Sequence, residues 1–375
     1  MTTYIHELKD WPNFIWDTEK ISLRLIHIHE RQGRLLGMMT TLGFRLQEEA
    51  SLLTLTQNIV KSSAIEGDIL NLDEVRSSIA RRIGIESAAL IPSRRYIEAI
   101  VEMMLDATQN FERPLTQERL CNWQAALFPT GRNGLQQITV GNFRGPSADP
   151  MEVVSGPMGR EKIHFEAPKG SRVSKEMQQF LTWINKDSPE LDLFVKAAIA
   201  HLWFVTIHPF EDGNGRIARA IADLFLARAD QTPQRFYSLS AQIEAERKQY
   251  YAALETQQKG NLDITSWLEW FLDCLNRSFS KAESTLGEVL LKARVWSWIH
   301  HHSEFKPNAR QTHVINRLLE NFEGHLNTSK YAKFTKCSSD TALRDIQEML
   351  QAGLLLANPK GGRSTSYQLN PSLPT

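Results

Sequence analysis

The sequence predicts a mostly α-helical fold that is interrupted once, near the middle of the chain, by a short β-hairpin. Apolar residues recur every three or four positions over long stretches on both sides, which is the spacing of amphipathic helices. Between residues 131 and 170 the composition changes to glycine, proline and β-branched residues, and segment 151–165 has two alternating runs around Gly156-Pro157. Two short helical segments and a second hairpin are predicted near the C-terminus.

The composition is that of an ordinary globular protein. Its 375 residues are 42% hydrophobic and 23% charged, which allows two or three domains with their own cores. Lysine plus arginine and aspartate plus glutamate both total 43, so no net field draws the whole molecule to nucleic acid or membrane. Three separated cysteines, and an N-terminus without a basic region followed by an apolar one, favour a reducing, cytoplasmic location.

Helices before the hairpin have recognisable ends. Asp17 precedes a stretch with helical spacing and is placed to cap it. A second long helix is predicted from about residue 45 to residue 66, where Gly67 is placed to end it. Thr116 is placed to cap a further helix that continues to Leu127.

Two helices are predicted after the hairpin. Ser174 is placed to cap the first, and Ser188-Pro189 to start the second. The second helix is apolar through Ile207 but contains Lys196, so it is predicted to be a buried helix instead of a membrane span. His201 on this helix is predicted to be a core histidine with satisfied hydrogen bonds, not a metal ligand.

A twelve-residue stretch after this helix combines an imidazole, a carboxylate, two glycines and two guanidiniums. Gly213, Asn214 and Gly215 can adopt backbone conformations that most residues resist, and helical spacing begins directly after them. Their N–H groups can therefore hold an anion at a helix N-terminus. Arg216 and Arg219 are three residues apart, so both project from one face, where guanidiniums suit phosphate oxygens.

The same stretch supplies a metal ligand and a base. Asp212 offers the hard carboxylate oxygen that Mg²⁺ on a polyphosphate requires. His208 is the residue there that can take up a proton near neutral pH. The Walker-type pattern is absent, so the stretch is not a P-loop. An Arg-rich helix start with a structural histidine would explain single residues, but the joint arrangement favours a phosphate site beside a base.

The stretch from His208 to Arg219 resembles the HPFxDGNGRxxR motif of the Fic (Fido) family at every fixed position. This resemblance implies a helical Fic core that transfers AMP from ATP to a Ser, Thr or Tyr hydroxyl of a target protein. It also implies that His208 deprotonates the hydroxyl and that Asp212 holds Mg²⁺. Segment 213–215 would form the anion hole, and Arg216 and Arg219 would hold the β- and γ-phosphates.

The resemblance leaves other functions of the motif open. Gly215 favours AMP transfer over phosphorylation, because phosphorylating relatives that resemble Doc usually carry lysine at this position. Another nucleotide donor, or removal of AMP with Glu66 positioning a water, is also compatible with the motif. A competing class is a DNA-binding transcriptional regulator in which the Fic core only senses a nucleotide.

Ser62 and Glu66 form a second short motif, four residues apart on one helical face and followed by Gly67. Alone, this would be an ordinary surface turn with a glycine stop. Beside the longer motif it resembles the [S/T]xxxE[G/N] inhibitory motif of Fic proteins. By that resemblance Glu66 would pair with Arg219 at the γ-phosphate position, so ATP would bind with its α-phosphate out of line.

The resemblance also assigns roles around the motif. The predicted hairpin, 151–165, would be the flap that positions a target protein's side chain, and its open edge could pair with an extended peptide. Arg144 lies in a stretch that resembles the family's GxxR segment, and it is predicted either to face solvent or to contact substrate. Tyr250 and Tyr251 lie on a helix that lines the nucleotide pocket in Fic proteins, with core packing as the equal alternative for each.

Residues 291–375 differ from the rest of the chain in charge, with 11 Lys/Arg against 6 Asp/Glu. They follow a predicted linker at 280–288, and short helices are expected to open at Asn327 and Ser338. With the hairpin after them, this order resembles a winged helix-turn-helix, while docking onto another protein is the competing interpretation. The candidate DNA contacts are Ser339, Thr341 and Arg344 for bases, and Lys333, Lys336 and Arg363 for phosphates.

Three parts are therefore predicted: an N-terminal helical domain with the inhibitory motif (1–110), a Fic core (111–285) and a winged-helix domain (290–375). The small molecules expected are ATP and Mg²⁺. The partners expected are a target protein at 151–165 and DNA at the C-terminal domain, with no membrane contact. A homodimer is a further expectation from the resemblance.

Overall fold

The computed structural model of the protein describes residues 3–40, 42–85, 91–134, 136–155, 160, 162–301, 304–319, 324–358 and 365–373. Over these residues the fold is mostly helical with small antiparallel strand pairs, as predicted. The chain divides into two compact units, Met1–Ala282 and Glu283–Thr375. The predicted turn at Gly156-Pro157 and the candidate contact Arg363 lie outside the described residues. None of the described helices is both long and apolar enough to span a bilayer.

The first unit begins with a short 3-10 turn and continues through helices and two strand pairs. Its helices are α1 (Thr18–Thr40), α2 (Phe44–Ile65), α3 (Leu72–Ile83), α4 (Arg95–Gln109), α5 (Gln117–Leu127), α6 (Gly170–Asn185), α7 (Leu193–Ile207), α8 (Asn214–Asp230), α9 (Leu239–Ala245) and α10 (Arg247–Gln258). The strand pairs are β1 (Arg132–Asn133) with β2 (Gln136–Gln137), and β3 (Glu152–Ser155) with β4 (Lys162–Glu166), both antiparallel. Helix α11 (Thr265–His301) follows.

The predicted caps at Asp17 and Thr116 are confirmed. The carboxylate of Asp17 accepts a hydrogen bond from the Lys20 N–H at 3.2 Å ahead of α1, and the Thr116 hydroxyl accepts from the Arg119 N–H at 3.1 Å at α5. Gly67, with φ 93°, follows the end of α2 in the left-handed conformation that glycine adopts without strain.

Two predicted helix starts are wrong. Helix α6 begins at Gly170, so Ser174 lies inside it. The backbone passes so close there that a Cβ on Gly170 would lie 2.1 Å from the Gly145 carbonyl oxygen, a contact that only the folded chain reveals. Helix α7 begins after Asp192, whose carboxylate accepts from the Phe194 N–H at 2.8 Å and caps the helix in place of Ser188-Pro189.

Helices α7 and α8 form the centre of the first unit. Helix α7 is buried on every side, which agrees with its continuous apolar sequence. His201 on α7 is fully buried, and its Nε2 lies 2.9 Å from the Tyr250 hydroxyl, so the predicted core position is confirmed. Its hydrogen bonds are not fully satisfied, because the buried Nδ1 has no hydrogen-bond partner among the described residues. Because α8 is also buried along most of its length, the loop that joins the two helices is held between packed elements at both ends.

The β3–β4 pair is the predicted hairpin, confirmed in its described strands. Val153 is opposite Phe165 and Val154 is opposite Ile163, so the register shifts and His164 has no residue directly across from it. This is a β-bulge, a feature that redirects a side chain away from the regular alternation of the strand.

The predicted linker at 280–288 is wrong, because α11 is continuous through this segment. The segment has no proline, most of its residues are compatible with a helix, and its single glycine costs only about 1 kcal/mol in a helix interior. Leu286 is also buried, with 5% of its surface exposed, which favours the helical conformation over an open linker.

The second unit has its own buried apolar core, which includes Val314, Tyr331 and Ile346. Asn327 and Ser338 cap its second and third helices as predicted, each accepting a hydrogen bond from a first-turn N–H. Its elements are α12 (Ala309–Leu319), α13 (Thr328–Thr335), α14 (Ser339–Gln351) and the antiparallel strands β5 (Leu355–Ala357) and β6 (Tyr367–Leu369).

Candidate active site

The candidate site is the loop between α7 and α8, which has a residue in the left-handed backbone conformation at each end. His208 has φ 52°, and its N–H donates to the Phe204 carbonyl at 3.0 Å to end α7. Gly213 has φ 88° and lies ahead of the first turn of α8. A Cβ on Gly213 would also lie 3.0 Å from both Leu127 and Phe128, so glycine is required there by conformation and by space.

The side chain of Asn214 closes the loop internally. Its oxygen accepts from the Phe210 N–H at 3.0 Å, and its amide donates to the Phe210 carbonyl at 2.8 Å. Phe210 is fully buried and anchors the loop. The first helical hydrogen bond runs from the Ile217 N–H to the Gly213 carbonyl at 3.0 Å. The predicted anion hole at 213–215 is shifted by one residue, because the Gly213 N–H donates to Asp212. The N–H groups of residues 214–216 precede the first helical bond and are free of intrahelical partners, which makes the turn suitable for an anion.

His208 is held as a neutral base. Its Nδ1 lies 3.2 Å from the Val205 carbonyl, and because a carbonyl only accepts, Nδ1 carries the proton. Nε2 is then the acceptor of the ring. Burial lowers the pKa of His208 to about 4, with the nearby Arg144 guanidinium adding to the decrease against the hydrogen bond to Val205. The ring is therefore unprotonated at neutral pH.

Arg144 supports the loop between α7 and α8. Both sequence predictions for this residue are wrong. It is neither solvent-facing nor exposed to a substrate, because only 3% of its surface is exposed. Its guanidinium donates to the carbonyl of His208 at 2.8 Å and to that of Pro168 at 2.9 Å, and its own N–H donates to the Pro209 carbonyl at 2.8 Å. Burial lowers the pKa of Arg144, and its donors fix the backbone on which His208 stands.

The buried Arg219 contacts the short motif at the end of α2. Its Nη1 lies 2.7 Å from Oε1 of Glu66, and this is the pair that the sequence predicted. Its Nε donates to the Ser62 hydroxyl at 2.9 Å, and its Nη2 to the Ser62 carbonyl at 2.8 Å. A Cβ on Gly215 would lie 2.3 Å from Oε1 of Glu66, so this carboxylate rests directly on the first turn of α8.

Arg216 contacts a different carboxylate, which sequence reasoning missed. Its Nη1 donates to Asp68 at 2.9 Å and to the Tyr96 hydroxyl at 2.8 Å, and its guanidinium lies 5.1 Å from the centre of the Phe128 ring. The signal in the sequence was the position of Asp68, two residues after Glu66 and just past the glycine that ends α2. Each motif arginine is thus neutralised by its own carboxylate from one short segment.

Asp212 is the candidate metal ligand. Its Oδ2 accepts from the Asn133 side chain and its Oδ1 from the Gly213 N–H, both at 2.5 Å. In the part of the chain that the structure describes, no group of three or more metal-ligating side chains assembles. A single carboxylate suits Mg²⁺ that arrives with a nucleotide, since phosphates and water supply most of its ligands.

The two candidate tyrosines differ in accessibility. Tyr250 is 2% exposed, its hydroxyl bonds to His201, and burial raises its pKa. Tyr251 is 37% exposed, and its hydroxyl donates to the Ile65 carbonyl at 3.2 Å, next to Glu66. Tyr251 is therefore the tyrosine with surface available to a ligand, while Tyr250 packs in the core.

At the start of α8, two buried arginines are each paired with a carboxylate beside a neutral imidazole, and this arrangement is suited to a polyanion next to a base. Residues 114–226 match the model of the Fic/DOC family, so the chain contains a Fic/DOC family domain, and the resemblance seen in the sequence is confirmed. Residues 4–85 match a second model, described as a domain of unknown function, DUF4172.

Two curated relatives are named protein adenylyltransferases. Protein adenylyltransferase fic-1 of Caenorhabditis elegans is 28% identical over 203 residues, which are 53% of this chain and 36% of that protein. Protein adenylyltransferase Fic of Drosophila mojavensis is 25% identical over 226 residues, 59% of this chain and 40% of that protein. The matches thus span well under half the length of these curated relatives.

The fold also has a solved counterpart. The crystal structure of a Fic family protein from Desulfovibrio desulfuricans G20 aligns with a TM-score of 0.53 and 20% identity, covering 96% of this chain and 99% of that chain. At this identity the likeness concerns the fold alone.

Proposed function

We propose that this protein is an adenylyltransferase that moves AMP from ATP to Ser, Thr or Tyr hydroxyls of target proteins. The observation that carries the proposal is the Glu66 carboxylate, which lies on Gly215 and pairs with Arg219 at 2.7 Å. The start of α8 already holds an anion, as a phosphate site must. The Fic/DOC family domain and the relatives named protein adenylyltransferase support AMP transfer as the chemistry.

In this mechanism the triphosphate lies along the first turn of α8. The N–H groups of residues 214–216 hold phosphate oxygens, and Arg216 and Arg219 exchange their carboxylates for the β- and γ-phosphates. Asp212 would hold Mg²⁺, which when bound offsets the charge of the phosphates. Catalysis then depends on positioning and on the charges already fixed in the site.

His208 acts as the base. Its unprotonated Nε2 takes the proton of the target hydroxyl as the hydroxyl oxygen attacks the α-phosphorus. The bond between the α-phosphorus and the bridging oxygen breaks, and pyrophosphate leaves. Arg144 keeps the His208 carbonyl in place, so the imidazole stays over the phosphate turn.

Inhibition by Glu66 is part of the proposal. Glu66 and Ser62 engage Arg219, the residue proposed to hold the γ-phosphate, so a bound ATP would be displaced from the in-line position. The pair combines a guanidinium with 1% side-chain exposure and a carboxylate with 32%. One partner is fully buried and the other is partly exposed, so the contact is firm enough to inhibit and open enough to be released.

The flap is proposed to dock the target protein. Val154 and Ile163 are opposite each other on β3 and β4, and both are exposed, at 46% and 44%. An apolar pair on a hairpin with an open edge suits an extended segment that adds a strand and buries an apolar side chain.

We place the protein in a reducing cytoplasm, which the free thiols of Cys121, Cys274 and Cys337 support.

The test is incubation with ATP labelled at the α-phosphate, with cell lysate as the source of targets. Label is expected on protein, and His208→Ala should abolish it while the circular dichroism spectrum stays unchanged. Competition by unlabelled UTP, GTP and CTP identifies the donor. A lysate that acquires no label from either wild type or Glu66→Gly would refute AMP transfer.

The second unit is proposed to be a winged-helix domain that binds DNA. Ser339, Leu343 and Arg344 form an exposed face of α14, and Leu343 is an apolar residue with 41% of its surface exposed. Lys333 and Lys336 are exposed beside it, and Thr341 bonds to the Ser338 hydroxyl as part of the helix cap. DNA binding predicts a steep loss of affinity for duplex between 50 and 200 mM salt. Affinity that does not respond to salt would leave protein docking as the function of this face.

A further inference from the structure

Three side chains outside the phosphate site form a hydrogen-bonded chain. Oγ of Ser155 on β3 lies 2.6 Å from Nε2 of His164 on β4. Nδ1 of the same ring lies 2.6 Å from Oε2 of Glu255 on α10. No step of AMP transfer uses these residues.

The hydrogen bonds assign the tautomer of the ring. A carboxylate only accepts, so Nδ1 of His164 carries a proton and donates it to Glu255. In the neutral ring, Nε2 is then the nitrogen that accepts from the Ser155 hydroxyl. Lys259, followed by the hydrogen bond from His164, lowers the pKa of Glu255 to about 2, so the carboxylate keeps its charge. This is the protonation state in which an imidazole activates a serine.

The local backbone makes the arrangement possible and accessible. The β-bulge between β3 and β4 turns His164 toward both Ser155 and α10. Ser155 is exposed, and the side chains of His164 and Glu255 keep 26% and 25% of their surface. The hydroxyl can therefore meet a molecule from solvent.

We propose that Ser155 is the nucleophile of a second activity, acyl transfer from a negatively charged ester, with His164 as its base and Glu255 as a positioning residue. The ester is proposed to be negatively charged because two ammonium groups lie beside these three side chains. Lys259 and Lys162 lie 2.7 and 3.9 Å from Oε1 of Glu255.

Acyl transfer to Ser155 requires no oxidant or reductant. The Ser155 proton moves to Nε2 of His164 as Oγ bonds to the acyl carbon, and the bond to the ester oxygen breaks. His164 returns the proton to the departing alcohol. Water, deprotonated by the same ring, then hydrolyses the acyl-serine and restores the hydroxyl.

The test uses a fluorophosphonate probe on the full-length protein, with the sites of modification read by mass spectrometry. Attack by Oγ forms a serine–phosphorus bond and expels fluoride. Ser22 is the matched control, since its exposed hydroxyl bonds only to the Thr18 carbonyl, at 2.7 Å. Ser155 is expected to react about 100-fold faster than Ser22, the lower end of what a positioned base contributes. Equal rates at the two serines would overturn the proposal.

Variants separate activation from folding. His164→Ala should reduce labelling of Ser155 to the rate of Ser22, and added imidazole should restore it, which a structural role would not permit. Glu255→Gln should slow labelling about tenfold or more with an unchanged melting temperature. His208→Ala should label like wild type, because this activity does not depend on AMP transfer. Labelling that survives in His164→Ala would refute the base.

The proposed preference for a negatively charged ester is tested by comparing an anionic with a neutral substrate. The anionic ester 4-acetoxybenzoate, whose carboxylate cannot reach its own ester, is expected to be hydrolysed faster than the neutral methyl 4-acetoxybenzoate after subtraction of the rates without protein, and Lys162→Gln should narrow the difference. Equal rates for the two esters, or hydrolysis that persists in Ser155→Ala, would overturn the assignment of Ser155 to a negatively charged ester.

Discussion

Glu66→Gly is expected to raise the rate of AMP transfer by at least about tenfold. Separating a fully buried carboxylate–guanidinium pair costs about 3–5 kcal/mol, and the 32% exposure of the Glu66 side chain reduces this to roughly 1.5–3 kcal/mol. ATP that is already bound must supply that free energy to take Arg219 from Glu66 and reach the in-line position, so the penalty persists at saturating ATP. At about 1.4 kcal/mol per factor of ten, removal of the carboxylate corresponds to roughly 10- to 150-fold.

The assay is the initial rate of transfer of α-labelled AMP to protein at saturating ATP. Glu66→Gln separates the effect of the negative charge from that of the space the side chain fills, because the amide still covers Gly215 but no longer attracts Arg219. This variant should give an intermediate rate. Glu49→Gln is the matched control on the same helix, since Glu49 lies 3.8 Å from Arg76 and 68% of its side chain is exposed. Equal rates for wild type and Glu66→Gly would refute the inhibitory role of the pair.

Three further predictions follow from the same geometry. Because the pKa of His208 is about 4 and only the neutral ring accepts a proton, the rate of transfer should stay level from pH 8 to about pH 5 and fall below that; a midpoint near 6.5 in the pH–rate profile would contradict this. Arg144→Ala should lower the free energy of unfolding by about 3 kcal/mol, because buried carbonyls lose their donors; the exposed Arg95→Ala is the control in thermal melts, and equal melting temperatures would argue against the support role. Asp68→Asn should lower the KM for ATP about threefold by releasing Arg216, roughly the worth of one partly exposed ion pair; an unchanged KM would show that the pair does not compete with phosphate.

The sequence was most informative where the determining contacts are local. The motif from His208 to Arg219 is one loop and one helix start, so the left-handed conformation of Gly213 could be inferred from residue type. Gly215, in contrast, is an ordinary helical residue, and only its tertiary contact with Glu66 requires glycine there. The caps at Asp17 and Thr116 involve a side chain and an N–H three residues away, and both predictions hold. Ser62 and Glu66 were expected to share a neighbour because they are four residues apart on a helix, and both contact Arg219.

Contacts between distant segments were decided only by the tertiary structure. Arg144 bonds to a carbonyl 64 residues away and Arg216 to a carboxylate 148 residues away, and neither spacing leaves a pattern in the sequence. The start of α6 depends on how closely Gly170 approaches another loop, not on a capping residue. Local hydrogen bonds are set by residue type and short spacing, whereas the partner of a buried guanidinium is set by which helices pack together, and that depends on the whole chain.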